Sequence, residues 1–354
     1  MKQIIDFSSY PLSSRNLEYG GRAGEKKGII FNNDFWFLKF PKNTQNMKNV
    51  KGLSYATSPL SEYIGSNIFK ILGYETHETI LGICFDGKRY KVVCACKDFI
   101  KDDKNEMLIP YTSLRNDTNP EVMNRDSDYS MSASNLDEII FQLEHNTILS
   151  KIPNAKQRFW DTLVIDMLLN NNDRNEDNWG IIKFKNESEF KMSPIFDCGN
   201  SFYGKTSDER IVEIMADKAR LMSSAINGIT AYEDNDENRI RIMDILSRDN
   251  LDLKISIKKV YSLVKTNMKR IEEFIYSIPN SFNGVSLMSD LRKEYYLETF
   301  KIRFKEILEK QYFILEKEPL DKNTKKLLKL FGSLKDNDIC EPEDLPLDQE
   351  DIEV

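Results

Sequence analysis

Asp173 and Asn178 stand with four residues between them in NNDRNEDNWG, residues 171–180. On one short loop, that pair can offer a carboxylate to a hydroxyl group and an amide oxygen to a hard cation. Asp197 ends the apolar run SPIF and precedes Cys198-Gly199. A second carboxylate there suits Mg2+, an ion that prefers oxygen. Lys39 closes the aromatic run FWFLK, whose alternation turns it inward. A buried ammonium is costly unless paired, and Glu62 is the partner the spacing offers. Gly20, Gly21 and Gly24 lie just ahead, with Lys26 and Lys27 after them. Glycines let backbone N–H groups approach phosphates. A base, two metal ligands, a paired cation and a glycine-rich loop are the parts of metal-assisted phosphoryl transfer. Each part alone has a plain structural reading. An Asp/Asn-rich turn is common, as is a strand-end lysine facing solvent. Their order along the chain favours the chemistry, because it is the order of the protein-kinase motifs.

The elements that must position these residues are legible in outline. Gly28 to Asn32 and Asp34 to Phe40 read as two strands joined at Asn32-Asn33. A helix is predicted from Ser58, with Ser58 as N-cap, Pro59 in the first position and Gly73 as the stop. Leu60, Ile64, Ile68 and Leu72 recur at helical spacing. Thr79 to Phe85 and Arg89 to Cys96 flank Asp86-Gly87, a hairpin signal. Together these make a small antiparallel sheet carrying one helix. Residues 101–135 are polar and read as a loop. Helices are then predicted at Leu136 to Leu149, Asn154 to Leu169, 208–226, 238–248, 254–278 and 288–316. One hairpin, Gly180 to Lys185 with Phe190 to Phe196, interrupts them. The expected class is α+β, two-lobed: a β-rich lobe over 1–99, a mainly helical lobe over 100–333 and an acidic, disordered tail over 334–354. Lys97, Asp98 and Phe99 fall at the junction, where a backbone linker would meet adenine.

The run FWDTLVIDMLLNNNDRNEDNWG, followed by IFDCGNSF, resembles the HipA-like serine/threonine kinases. More narrowly it is similar to their short stand-alone, cell-translocating members. GGRAG, FLKFP, Ser61-Glu62-Tyr63 and Ala95-Cys96-Lys97-Asp98-Phe99 match that type as well. The resemblance covers about residues 18 to 200. It implies a two-lobed kinase fold, ATP and Mg2+ as cofactors, and transfer to a serine or threonine of a protein. It implies Asp173 as catalytic base, Lys39 with Glu62 as the catalytic ion pair, and Asn178 and Asp197 as metal ligands. Gly20, Gly21, Gly24, Lys39, Lys97, Asp98 and Phe99 would then face the nucleotide. Autophosphorylation, a toxin or effector role and an antitoxin partner stay open. Two departures stand out. Asn175 sits where the family has histidine, and Cys198 where kinases carry phenylalanine.

The bulk composition narrows the rest. A net charge of −7 and a pI near 5.3 argue against broad attraction to nucleic acid or anionic lipid. No apolar run is long enough for a membrane span, and no secretory signal is evident. The expectation is a cytoplasmic protein, or an effector secreted without a signal peptide. Five cysteines without framework spacing suggest reduced thiols. Cys94 and Cys96 read as strand core. Neither His77 nor His145 has a partner at metal-ligand spacing along the chain. The rival readings are a nucleotide-binding pseudokinase acting as an interaction module, and transfer to a small molecule or of a nucleotide.

Overall fold

The computed structural model describes residues 4–17, 26–44, 56–101, 106–115, 134–184 and 189–317. They belong to one compact unit, Met1–Glu318; the second, Pro319–Val354, lies outside them. The glycine-rich stretch at Gly20, Gly21 and Gly24 and the acidic tail also fall outside the described residues.

Five strands form the first sheet in the order β1-β4-β5-β3-β2. They are β1 (Ile5–Asp6), β2 (Lys26–Phe31), β3 (Asp34–Lys39), β4 (Thr79–Phe85) and β5 (Tyr90–Lys97). The β2–β3 hairpin turns on Asn32 and Asn33, both at positive φ (50° and 64°). Asparagine tolerates that region better than most residues, which is why the Asn-Asn pair predicts the turn. The sheet is not wholly antiparallel, because β1 runs parallel to β4 on the edge. A two-residue strand leaves no alternation to read in the sequence. Trp36, Leu38, Ile29, Phe31, Val93 and Ala95 pack with Phe7 on one face of the sheet. The other face carries Lys39, Phe37, Cys94 and Cys96, which the register places side by side.

Helix α1 (Ser58–Ile71) covers that second face, with Pro59 in its first turn. Its flanking residue is Thr57 rather than Ser58. The Thr57 hydroxyl lies 3.3 Å from the Gly204 carbonyl and 3.3 Å from the Tyr296 hydroxyl, so it does not cap the helix. The stop falls where expected. Gly73 takes φ 88°, and the N–H groups of Gly73 and Tyr74 return to the carbonyls of Lys70 and Phe69. Helix α1 is buried on nearly every side, because Tyr63 on its far face meets Phe274 at 5.6 Å. The helix is thus wedged between sheet and helical region.

Residues 106–114 correct the loop expectation: they form β6 (Glu106–Pro110) and the single-turn α2 (Tyr111–Leu114). EMLIP shows neither alternation nor length, and it becomes a strand only by pairing with β7 (Gly180–Phe184). Strand β8 (Phe190–Met192) completes this three-stranded sheet. Helix α3 (Leu136–His145) ends earlier than expected; α4 (Ala155–Leu169) buries Phe159, Trp160, Leu163, Val164, Met167 and Leu168. The span 208–226 breaks into α5 (Asp208–Met215) and α6 (Lys218–Ile226), because Asp217 caps α6 through the N–H groups of Ala219 and Arg220. The span 238–248 is part hairpin: β9 (Ile229–Glu233) and β10 (Arg239–Arg241) lead into α7 (Ile242–Leu246). Helix α8 (Leu251–Ser277) packs along α4. Helix α9 (Asp290–Arg303) continues through a π-helical turn into α10 (Lys310–Lys317).

Trp179 ties the central loop to this frame. It stacks on Tyr111 at 4.4 Å and meets Phe159 at 5.6 Å. Trp179→Ala should cost about 3–5 kcal/mol, read as a lowered denaturant midpoint in urea. An unchanged midpoint would show that Trp179 does not hold the loop.

Candidate active site

Lys39 leaves the end of β3 and reaches two carboxylates. Its Nζ lies 2.7 Å from Glu62 Oε2 on α1 and 2.9 Å from Asp197 Oδ1. Burial works against the Lys39 charge, but Asp197 and Glu62 outweigh it and hold its pKa well above the usual lysine value. Glu62 is fully buried. Burial alone would raise its pKa; Lys39 first, then His77, pull it far below the usual carboxylate range. His77 Nε2 is 2.9 Å from Glu62 Oε1 and 3.2 Å from the Ser66 hydroxyl. Spacing along the chain leaves His77 without partners, whereas the fold sets it on the far oxygen of Glu62. Lys26 stands directly opposite Lys39 in the β2–β3 register. Burial and then the Lys39 charge lower its pKa.

Asp173 and Asn178 lie on the loop after α4. Asn170 ends that helix in the left-handed region, and the chain then turns through its own side chains. Asn171 Oδ1 accepts the Asp173 N–H at 3.3 Å, and Asn175 Oδ1 accepts the Asp177 N–H at 3.0 Å. Asn175, standing where a histidine was expected, is therefore a turn residue in its own loop. Asn178 donates its amide N–H to the Asp173 carbonyl at 2.6 Å. Its Oδ1 remains as the lone-pair atom a cation would need. The Asp173 side chain is exposed, within reach of an incoming hydroxyl.

Arg174 organises this loop, although its sequence position gives no sign of it. The guanidinium is 2% exposed and pairs with Asp166 on α4 through two nitrogens, at 2.7 and 3.2 Å. It also donates to the carbonyls of Asn178 (3.2 Å) and Phe196, and reaches Cys198 Sγ at 3.5 Å. One buried fork thus joins the loop of Asp173 to the segment of Asp197. Burial pushes the Cys198 thiol up to about 12, so it stays protonated. Cys198 fits against α1 only because residue 65 is glycine: a Cβ there would sit 2.7 Å from Cys198 Cβ. Asp197 itself is left-handed, φ 56°. That conformation is uncommon outside glycine, and its cost is offset where surrounding contacts fix it.

The linker behaves differently from the rest. Lys97 points to the outer face, 2.6 Å from Asp34 and over the Trp36 ring. Only its backbone can serve the site. Asp98 is held by Arg15 at 2.6 Å, with the Arg15 guanidinium 4.3 Å over Phe35. Phe99 meets Phe196, next to Asp197, at 5.6 Å.

Lys39 thus joins Glu62 to Asp197, and Arg174 joins the loop of Asp173 and Asn178 to the segment that carries Asp197. No protein-family model matches the chain. It is 28% identical over 294 residues to the "Serine/threonine-protein kinase CtkA" of Helicobacter pylori, covering 82% of each chain. The crystal structure of the H. pylori proinflammatory kinase CtkA superposes with a TM-score of 0.75 at 25% identity, over 89% of this chain and 99% of that one. The chain is a relative of the CtkA kinase. Its fold is the α+β, two-lobed fold of the CtkA kinase. A weaker likeness, TM-score 0.47 at 12% identity, is to a chain of the Shewanella oneidensis HipA, HipB and operator DNA complex; it covers 88% of this chain and 75% of that chain.

Two outcomes follow. Arg174→Ala should cost about 3–5 kcal/mol, because Asp166 is left buried without its partner, and Asp166→Asn added to it should recover part of the loss. Equal melting of wild type and Arg174→Ala would remove Arg174 from this role. For Glu62 the sign is that of a depressed carboxylate. Its stabilisation is present above the unfolded value of about 4.3 and is lost as pH falls toward the lower folded value. The stability gap between wild type and Glu62→Gln should therefore narrow in urea titrations below about pH 4.3. A gap that widens on acidification would contradict the pairing.

Proposed function

We propose that the chain is an ATP- and Mg2+-dependent serine/threonine protein kinase in which Asp173 is the catalytic base. The observation that carries this reading is the Lys39 ammonium shared between Glu62 and Asp197. Such an ion pair has to be in place in an active protein kinase, and here it is formed in the same molecule that keeps Asp173 exposed and Asn178 Oδ1 available. The kinship with CtkA supports the reaction class.

The donor set fits the cofactors. Asn178 Oδ1 and the Asp197 carboxylate are hard oxygen ligands of the kind Mg2+ takes, and they would hold it. Bound there, the ion neutralises phosphate charge. Lys39 would then face the nucleotide phosphates, held by Glu62 so that its ammonium stays charged and aimed. Asp173 would orient the acceptor hydroxyl and take its proton as the bond to phosphorus forms. Arg174 fixes the distance between the Asp173 loop and Asp197, so base and metal ligand move as one body. The acceptor is a serine or threonine hydroxyl of a protein, the class named for CtkA.

A labelled-ATP assay on a generic protein substrate, with autophosphorylation read in parallel, tests the assignment. Asp173→Asn should lower transfer by about 10²–10⁴-fold with nucleotide affinity kept. Equal label on wild type and Asp173→Asn would sink the role of Asp173. Tight nucleotide binding with no transfer by wild type would favour the pseudokinase reading.

A further inference from the structure

Around the Lys39–Glu62 pair lie donors that phosphoryl transfer does not use: His77, Cys96 and Cys94. Single ligand atoms of Glu62, His77 and Cys96 all lie within 4.8 Å of one another, and all three residues are buried. Cys94 Sγ is 3.9 Å from Cys96 Sγ, two residues away on the same face of β5. The four residues come from α1, the approach to β4 and the middle of β5, so the backbone holds them rigidly. One of their polar atoms, His77 Nδ1, is buried with no hydrogen-bond partner. His77 Nε2 faces Glu62 Oε1 at 2.9 Å and helps to keep that carboxylate charged. A buried polar atom without a partner calls for an explanation, and a bound ion is one of the standard ones.

We propose that Glu62 Oε1, His77 Nε2 and the thiolate of Cys96, with Cys94 beside it, form a Zn2+ site whose occupation turns down phosphoryl transfer. The donor chemistry selects the metal. One imidazole nitrogen, one carboxylate oxygen and one or two sulfurs suit Zn2+ and do not suit Mg2+. Each coordinating thiol releases its proton to solvent and keeps the electron pair for the Zn–S bond, so no oxidant or reductant enters. The inhibitory half rests on the kinase reading. Oε2 holds Lys39, and Oε1 faces His77. A dication on Oε1 draws charge from the carboxylate and sets a second positive centre near the ammonium. Lys39 then loses its hold on Glu62 and is left with Asp197 alone.

The test uses the full chain stripped of metal by a chelator, with Co2+ as a spectroscopic probe. Wild type should show thiolate-to-cobalt charge-transfer absorption that Zn2+ abolishes and Mg2+ does not. Cys96→Ser should lose that absorption, and His77→Gln, a second variant should the first fail to fold, should weaken it. In the transfer assay, Zn2+ should lower wild-type activity by about tenfold or more, with recovery on chelation, while Cys96→Ser keeps its activity in Zn2+. No thiolate–cobalt absorption in wild type, or the same absorption in Cys96→Ser, overturns the site. Absorption present with transfer unaffected by Zn2+ overturns the inhibitory role. The cobalt spectrum needs no catalysis, so a chain that binds Co2+ through Cys96 but transfers no phosphate would fail the kinase reading and keep the metal site.

Discussion

A single ammonium, that of Lys39, is held between two carboxylates that come from different parts of the chain. Glu62 belongs to the helix on the β-sheet and Asp197 to the segment after strands β7 and β8. Fully buried Glu62 does not tolerate its place without a countercharge, and Lys39 tolerates its own only with one. The three groups therefore require each other, and the backbone elements that carry them must meet. This constraint accounts for an α1 that is buried on nearly every side, a glycine at 65 that lets Cys198 approach it, and a left-handed Asp197.

A second buried ion pair repeats the logic one layer down. Arg174 and Asp166 join α4 to the Asp173 loop, and the remaining guanidinium donors take the carbonyls of Asn178 and Phe196. Where Lys39 sets the charge of the site, Arg174 sets its geometry. Charge stabilisation does most of the work in phosphoryl transfer, and it depends on donors being fixed before the reaction. The two pairs supply that fixity, and Arg174 does so from within the Asp173 loop itself, anchored on Asp166 and Phe196. Asp173 stays exposed, which under the proposed function leaves it open to an acceptor hydroxyl.

Much of this was legible in the sequence, and the part that was not has definite causes. Lys39, Glu62, Asp173, Asn178 and Asp197 can be picked out because their order and spacing carry the signal; the structure pairs Lys39 with Glu62 and Asp197 and sets Asp173 and Asn178 on one loop. The Asn32-Asn33 turn and the Gly73 stop are local backbone chemistry, so they read directly. Strand β6 and the β9–β10 hairpin were missed because short strands owe their existence to partners far away in sequence. Arg174 and His77 were passed over for a related reason. Their importance lies in Asp166 and Glu62, contacts set by the fold with no period or motif to announce them. The same holds for Cys94 and Cys96, whose alternation says strand core and is silent about the carboxylate packed against it.

The account stands or falls on the shared ammonium. Single-turnover phosphoryl transfer from labelled ATP, measured on Lys39→Met beside its melting temperature, tests it directly. The account predicts a chain that folds and transfers at least about a hundredfold more slowly. Transfer at the wild-type rate by Lys39→Met would contradict it.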